Sequence, residues 1–198
     1  MPAIGPGQKA ALLEAYTATI SLLPSPLRPS FLIIGGAALV LLGSPRRTED
    51  VDFAVSGAAL FAFEEGARSD PRFAQGAVAE WTYSCQGKGI EDVGVPLEFL
   101  QMGGAFAPTI KVVEAVGGGF RAGVGELVRM KARAYVERGE DNDRGDFCFL
   151  LEKMVETGEG FEGMEVEGED LDSMEATAAE CGGRFLELLK ELLGKAGY

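Results

Sequence analysis

The stretch FLIIGGAALVLLGSPRRTEDVDFAV, residues 31–55, constrains the fold more than any other part of the chain. A short apolar run ends in Gly35-Gly36, a second apolar segment follows, and Asp50 and Asp52 then stand one residue apart beside Glu49. FLII has the character of a short buried strand, AALVLL suits a buried helix of about two turns, and GSPRRTED is punctuated as a turn. VDFAV alternates as a strand does. Period-two alternation then places the Asp50 and Asp52 carboxylates on one face and Val51 on the other, with Glu49 pointing the opposite way into solvent. Two neighbouring carboxylates repel, and each raises the proton affinity of the other unless a cation neutralises them. Mg²⁺, which prefers oxygen ligands, is the natural partner. The plain alternative is a polar strand end with no ion.

A third acid sharpens the metal reading. Glu98 sits in VPLEFLQ with apolar neighbours on both sides, an unusual place for a charge in a central strand. If that strand lies beside VDFAV, Asp50, Asp52 and Glu98 form a triad able to hold two divalent ions, the arrangement used for in-line phosphoryl transfer. If instead the sheet is solvated on one side, Glu98 simply faces water. Gly35-Gly36 alone is an ordinary turn. Followed by Asp-x-Asp, it becomes a candidate for backbone N–H groups approaching a triphosphate.

The counts exclude several chemistries. The 198 residues contain no histidine, which removes Ser-His-Asp and Cys-His catalysis and histidine-ligated zinc and leaves carboxylates as the main candidates for acid–base and metal work. Cys85, Cys148 and Cys181 are odd in number and widely separated, so reduced thiols in a cytoplasmic protein are expected. No apolar run is long enough to span a bilayer, and the N-terminal residues lack the pattern of a secretory signal. The net charge of −13 is uneven: residues 1–150 hold 14 Lys+Arg and 18 Asp+Glu (−4), residues 151–198 hold 4 and 13 (−9). An acidic chain is a poor non-specific binder of nucleic acid.

Elsewhere, helices are expected over residues 8–23, 56–68 with Ser56 as cap, 125–140, 143–156 and 183–197, and strands over 78–85 and 95–101. The helix at 125–140 carries a stripe of Leu127, Met130, Ala134 and Tyr135, and the one at 143–156 carries Phe147, Leu150, Leu151 and Met154. The last is amphipathic through Phe185, Leu188, Leu189, Leu192 and Leu193. Trp81 and Tyr83 alternate as core residues. A Gly/Ala-rich passage leads to about residue 123, and the acidic, glycine-rich residues 156–175 have the composition of a solvated linker. The expected architecture is α+β: a small mixed sheet flanked by helices over residues 1–123, then a helical section over 124–198.

Gly35, Gly36, Gly43, Arg46, Thr48, Asp50 and Asp52 together resemble the signature of the nucleotidyltransferase fold superfamily, the group that includes DNA polymerase beta. Within it the pattern is most similar to the branch containing the abortive-infection type IV toxins. In that branch a later helix carries Lys-x-x-Ala, an Arg, and an Arg-Asp-x-x-Asp element; here stand Lys131, Ala134, Arg138, Asp143 and Asp146. The chain departs in having Asn142 where an Arg is usual and Gly36 where many polymerase-like members have Ser. The resemblance spans residues 31–151, about three-fifths of the chain. It implies an Mg²⁺-dependent (alternatively Mn²⁺-dependent) transferase that moves a nucleoside monophosphate from an NTP to an acceptor hydroxyl on RNA, a protein or a small metabolite. Asp50, Asp52 and Glu98 would hold two ions and activate the acceptor, and Gly35, Gly36, Arg46, Thr48 and Lys131 would hold the nucleotide. Lys131 is alternatively a surface residue paired with Glu137 or Glu126, Arg46 alternatively orients the turn, and Asp143 and Asp146 cap and anchor a helix. The competing implications are a catalytically inactive nucleotidyltransferase-like module that binds a nucleotide or protein, and an unrelated α/β interaction domain that binds neither metal nor NTP.

Overall fold

Phe31, Leu32, Ile33 and Ile34 are all buried, as a strand covered on both faces must be. They form β1 (Phe31–Ile34) at the interior of a mixed sheet. The computed structural model describes residues 3–76, 80–87, 93–103, 110–166 and 168–198. Two compact units divide the chain: Met1–Thr109 with Val113–Arg121, and Ile110–Val112 with Ala122–Tyr198.

Unit 1 begins with α1 (Pro6–Ser21), which has Pro at its first turn, where a missing N–H costs nothing, and ends before Pro24. A 3-10 turn (Ser25–Ser30) leads into β1. Then come α2 (Gly35–Leu41), β2 (Val51–Val55), α3 (Gly57–Ala67), β3 (Phe73–Gln75), β4 (Trp81–Ser84), β5 (Gly94–Gln101), β6 (Val113–Val116) and β7 (Gly119–Ala122). Among the described residues these seven strands form one sheet in the order β3-β4-β5-β2-β1-β7-β6. β1 runs antiparallel to β2 and parallel to β7, and β2 runs parallel to β5. The expected α+β fold with a small mixed sheet is the observed one. β3, β6 and β7 are strands that hydrophobic patterning did not reveal, because each is only three or four residues long and half of the β6 positions are exposed. Residues 78 and 79 of the expected strand at 78–85, and 104–109 of the Gly/Ala-rich passage, lie outside the described residues.

One face of the sheet carries the aromatic core. Phe53 on β2, Phe31 on β1 and Phe99 on β5 meet with ring centroids 4.8–5.8 Å apart, and Phe63 of α3 packs against Phe31, Phe99, Trp81 and Phe73. Ser56 caps α3 by accepting from the Ala59 N–H at 3.3 Å. Trp81 and Tyr83 are core residues, as their alternation indicated. Tyr83 also ties α1 to the sheet: its hydroxyl donates to Glu14 at 3.0 Å, and Glu14 accepts the Gln86 N–H at 2.7 Å.

Unit 2 is helical: α4 (Val124–Arg138), α5 (Asp141–Thr157), α6 (Gly168–Cys181) and α7 (Gly183–Ala196), with α4 packed on α5 and α6 and α6 on α7. Three sequence expectations change here. The acidic stretch 156–175 is not a linker throughout, since α6 begins at Gly168; Glu167 lies outside the described residues. Its composition misled because Asp170 is buried between Arg129 and Arg133, at 3.4 Å from each, while Met174, Thr177 and Ala178 face the core. Phe161 and Met164 are buried as well. On α4 the buried face is Leu127, Val128 and Ala132 with Glu126 and Arg129, whereas Met130, Ala134 and Tyr135 of the expected stripe are only partly covered. Finally, Cys148 of α5 and Cys181 of α6 are joined as a disulfide, with Cα atoms 6.8 Å apart and a sequence separation of 33, so the expectation of three reduced thiols does not hold. Helix packing brings that pair together, which sequence spacing does not report. Cys85 is free and buried.

Unit 1 has a pH window set by groups whose titration folding shifts. Burial pushes Glu14 up, but the Gln86 N–H and Tyr83 hydroxyl outweigh it and hold the carboxyl below its usual value; the Arg72 guanidinium does the same for Asp70. Carboxyls depressed on folding stabilise the fold at neutral pH and lose that contribution as acid protonates them. Burial pushes Tyr16 and Tyr83 up to about 12 and Cys85 to about 11. The neutral forms of these groups are the ones that fold, so stability is complete below the ordinary values of 10.0 for tyrosine and 9.0 for cysteine and falls as pH climbs past them. Thermal melts across pH are expected to show a plateau near neutrality that declines below about pH 4 and above about pH 9; a midpoint still rising at pH 10 contradicts this.

Candidate metal centre

β2 and β5 create the site by their register. In the parallel pair Val51 lies beside Leu97, Asp52 beside Glu98 and Phe53 beside Phe99. Because side chains alternate, the Asp52–Glu98 pair projects from the face opposite the aromatic cluster. Asp50, two residues before Asp52, shares that face. Carboxylate oxygens from Asp50, Asp52 and Glu98 all lie within 4.8 Å of one another. Asp50 and Asp52 are partly buried and Glu98 is exposed. Glu49 points away, exposed, and pairs with Arg47 at 2.6 Å.

Three carboxylates at this spacing repel one another strongly, and a set made only of hard oxygen donors suits Mg²⁺ or Mn²⁺. The backbone around them is built to the same end. Ile34 is the register partner of Asp52 across the antiparallel β1–β2 pair, so the chain turns into α2 directly beside the aspartate. Gly35 makes that turn with φ 61°, and a Cβ there would lie 1.8 Å from Asp52 Oδ2. Only glycine fits, for both reasons.

Gly36 is confined by different neighbours. A Cβ on it would lie 2.5 Å from Thr48 Oγ1 and 3.4 Å from the guanidinium carbon of Arg46. The volume that a side chain at position 36 would occupy is therefore taken by Thr48 and Arg46, which explains how glycine stands where related signatures carry serine. Thr48 is buried and donates its hydroxyl to Asp50 Oδ1 at 2.7 Å. The structure thus brings Gly35, Gly36, Arg46, Thr48, Asp50, Asp52 and Glu98 into one neighbourhood of unit 1.

Lys131 belongs to unit 2, and its surroundings there are neither of the pairings foreseen for it. Its ammonium lies 2.9 Å from both Asp143 and Asp146, carboxylates that are almost wholly buried. Arg138 adds a second bond to Asp143 at 2.8 Å. Asp143 and Asp146 lie near the start of α5 but provide no side-chain cap; they anchor α5 to α4 through these cations. Gln8 was not singled out in the sequence. Its side-chain amide on α1 donates to the Thr48 carbonyl across 40 residues, and nothing local in the sequence signals it.

The chain has a nucleotidyltransferase-like fold. Its structure is similar to the crystal structure of an antigenic nucleotidyltransferase-like protein from Paracoccidioides brasiliensis, with a TM-score of 0.68, 18% identity, and coverage of 95% of this chain and 94% of that one. No protein-family model and no curated protein matches the sequence. Among the described residues no helix is long and apolar enough to cross a membrane.

Two substitutions check this geometry. Gly35→Ala is expected to displace Asp52, abolish divalent-metal binding in calorimetry, and cost at least about 1–2 kcal/mol from the left-handed backbone alone; an alanine variant that binds metal normally contradicts the close approach. Lys131→Met leaves two buried carboxylates without their shared cation and is expected to lower stability by about 3–5 kcal/mol in urea unfolding. An unchanged urea midpoint would instead mean that the ammonium is dispensable to the fold.

Proposed function

We propose that this protein is a metal-dependent nucleotidyltransferase that moves a nucleoside monophosphate from an NTP to an acceptor hydroxyl and releases pyrophosphate. The observation that carries the reading is the convergence of Asp50, Asp52 and Glu98 from two parallel strands of a nucleotidyltransferase-like fold. Asp50 and Asp52 are assigned to holding the ions, two Mg²⁺ or Mn²⁺, with Glu98 completing the set. When bound, these ions supply Lewis-acid neutralisation of charge at the phosphoryl centre.

The chain's own groups do the rest. Gly35 and Gly36, which carry no side chains of their own, offer main-chain N–H groups at the start of α2 for the triphosphate. The Arg46 guanidinium, beside Gly36, is the nearby positive charge. Glu98, the exposed acid, is assigned to the acceptor side of the site. In the reaction the acceptor oxygen bonds to the α-phosphorus, the bond from that phosphorus to the bridging oxygen of pyrophosphate breaks, and the acceptor proton leaves to solvent on that open side. Lys131 is assigned to holding α4 against α5 in preference to neutralising phosphate, because two carboxylates already share its charge. The acceptor is an RNA end, a protein hydroxyl or a small metabolite, and the net charge of −13 argues against RNA. Placement beside the abortive-infection type IV toxins rests on the spacing of Lys131, Ala134, Arg138, Asp143 and Asp146, and with it go ATP as a candidate donor, a cytoplasmic site of action and toxicity on expression.

A second reading, a catalytically inactive module that binds a nucleotide or a protein, draws support from the engagement of Lys131. Calorimetry with Mg²⁺ and each NTP, on wild type and on Asp50→Asn/Asp52→Asn, separates the two together with transfer of labelled NTP in cell extract. Metal-dependent NTP binding and label transfer by wild type, both lost in the double variant, are the expected results. Binding without transfer favours the inactive module, and no metal-dependent binding removes both.

A further inference from the structure

Thr48 touches the acidic site and Gln8 touches Thr48, and neither belongs to its ligand set. Thr48 is 7% exposed, and its hydroxyl donates to Asp50 Oδ1 at 2.7 Å. A carboxylate so held cannot rotate about its χ2 bond without breaking that bond. Thr48 lies in the segment between α2 and β2, which has no ladder of its own to define its path. The N-terminal residues define it instead. The Ile4 N–H donates to the Pro45 carbonyl at 2.8 Å, Ala3 and Arg46 form an antiparallel bridge, and the Gln8 side chain donates to the Thr48 carbonyl. On the other side Thr48 packs into the space left by Gly36. The residue is thus held at its carbonyl, its β-carbon and its hydroxyl.

We propose that Gln8 and Thr48 are positioning residues of the metal centre, acting as a relay from α1 through Thr48 to the Asp50 carboxylate. The proposal rests on the metal reading of the acidic triad. Its physical content is pre-organisation: three mutually repelling carboxylates adopt a converged arrangement more readily when one of them is fixed by a donor that is itself fixed. Neither residue is assigned contact with the nucleotide or the ion.

The test uses Mn²⁺ alone as the probe, with free ion followed by electron paramagnetic resonance and folding by thermal melts. Thr48→Val keeps the shape and removes the hydroxyl, and it is expected to weaken Mn²⁺ binding by about 10–100-fold, the range typical of outer-shell changes at metal sites. Thr48→Ser is expected to restore wild-type affinity, which a purely packing role would not require. Gln8→Ala is expected to weaken binding in the same direction, and it carries the test if the valine variant does not fold. Wild-type Mn²⁺ affinity in Thr48→Val or, failing that protein, in Gln8→Ala overturns the relay, as does a serine variant no better than valine. In those cases loss of binding in Asp50→Asn would leave the metal reading standing. A folded wild type that takes up no Mn²⁺ overturns both.

Discussion

Asp52 and Glu98 face each other across the parallel β2–β5 pair, and the rest of unit 1 is organised around that unfavourable contact. Like charges directly opposite in a sheet destabilise it, and Asp50 adds a third to the same patch. The opposite face of the same strands carries Phe53 and Phe99, packed with Phe31 and Phe63. Apolar burial on that face holds β2 and β5 in register despite the repulsion. Gly35 removes its own side chain so that Asp52 keeps its place, and Thr48 fixes one oxygen of Asp50. A packed, rigid support beneath converging carboxylates is the arrangement that suits a divalent ion.

Unit 2 pairs its buried charges between helices. Every buried carboxylate on α4, α5 and α6 has a cation interleaved with it. Glu126 and Asp170 share Arg129, Arg133 reaches Asp170, and Asp143 and Asp146 share Lys131. These networks join helices and set their register, and each is self-neutralising. Buried ion pairs of this kind contribute little net energy relative to apolar packing but are costly to break singly.

Much of the candidate site was legible because its elements are local. The Gly-Gly break after FLII, the turn at residues 43–50 and the alternation of VDFAV occur within 25 residues, so spacing alone placed Asp50 and Asp52 on one face. Glu98 was legible as an anomaly, an acid inside an apolar strand. The pairing of Lys131 was not legible, because its partners Asp143 and Asp146 lie on the next helix, beyond its own helical neighbours. The acidic run at 156–175 hid a helix for the same reason: Asp170 is buried against arginines from another helix, which composition does not report. The short strands β3, β6 and β7 carry too few residues for periodicity to register, and the Cys148–Cys181 link joins positions that no spacing rule connects.

By itself the sequence determined the donor chemistry and the class of fold. Without histidine, and with two aspartates placed on one face by strand alternation, carboxylates were the main candidates for metal binding, and the run from strand to Gly-Gly to helix to strand pointed to a mixed α+β core. Tertiary structure decided whether a third acid joins the pair, since the distance from Asp52 to Glu98 is a matter of strand order and register over 46 residues of chain. It also decided which side chains hold the site steady. Gln8 reaches Thr48, and Thr48 reaches Asp50, through α1 packing against the sheet, and hydrogen bonds made across such separations follow from the packing of whole elements and leave no trace in local pattern.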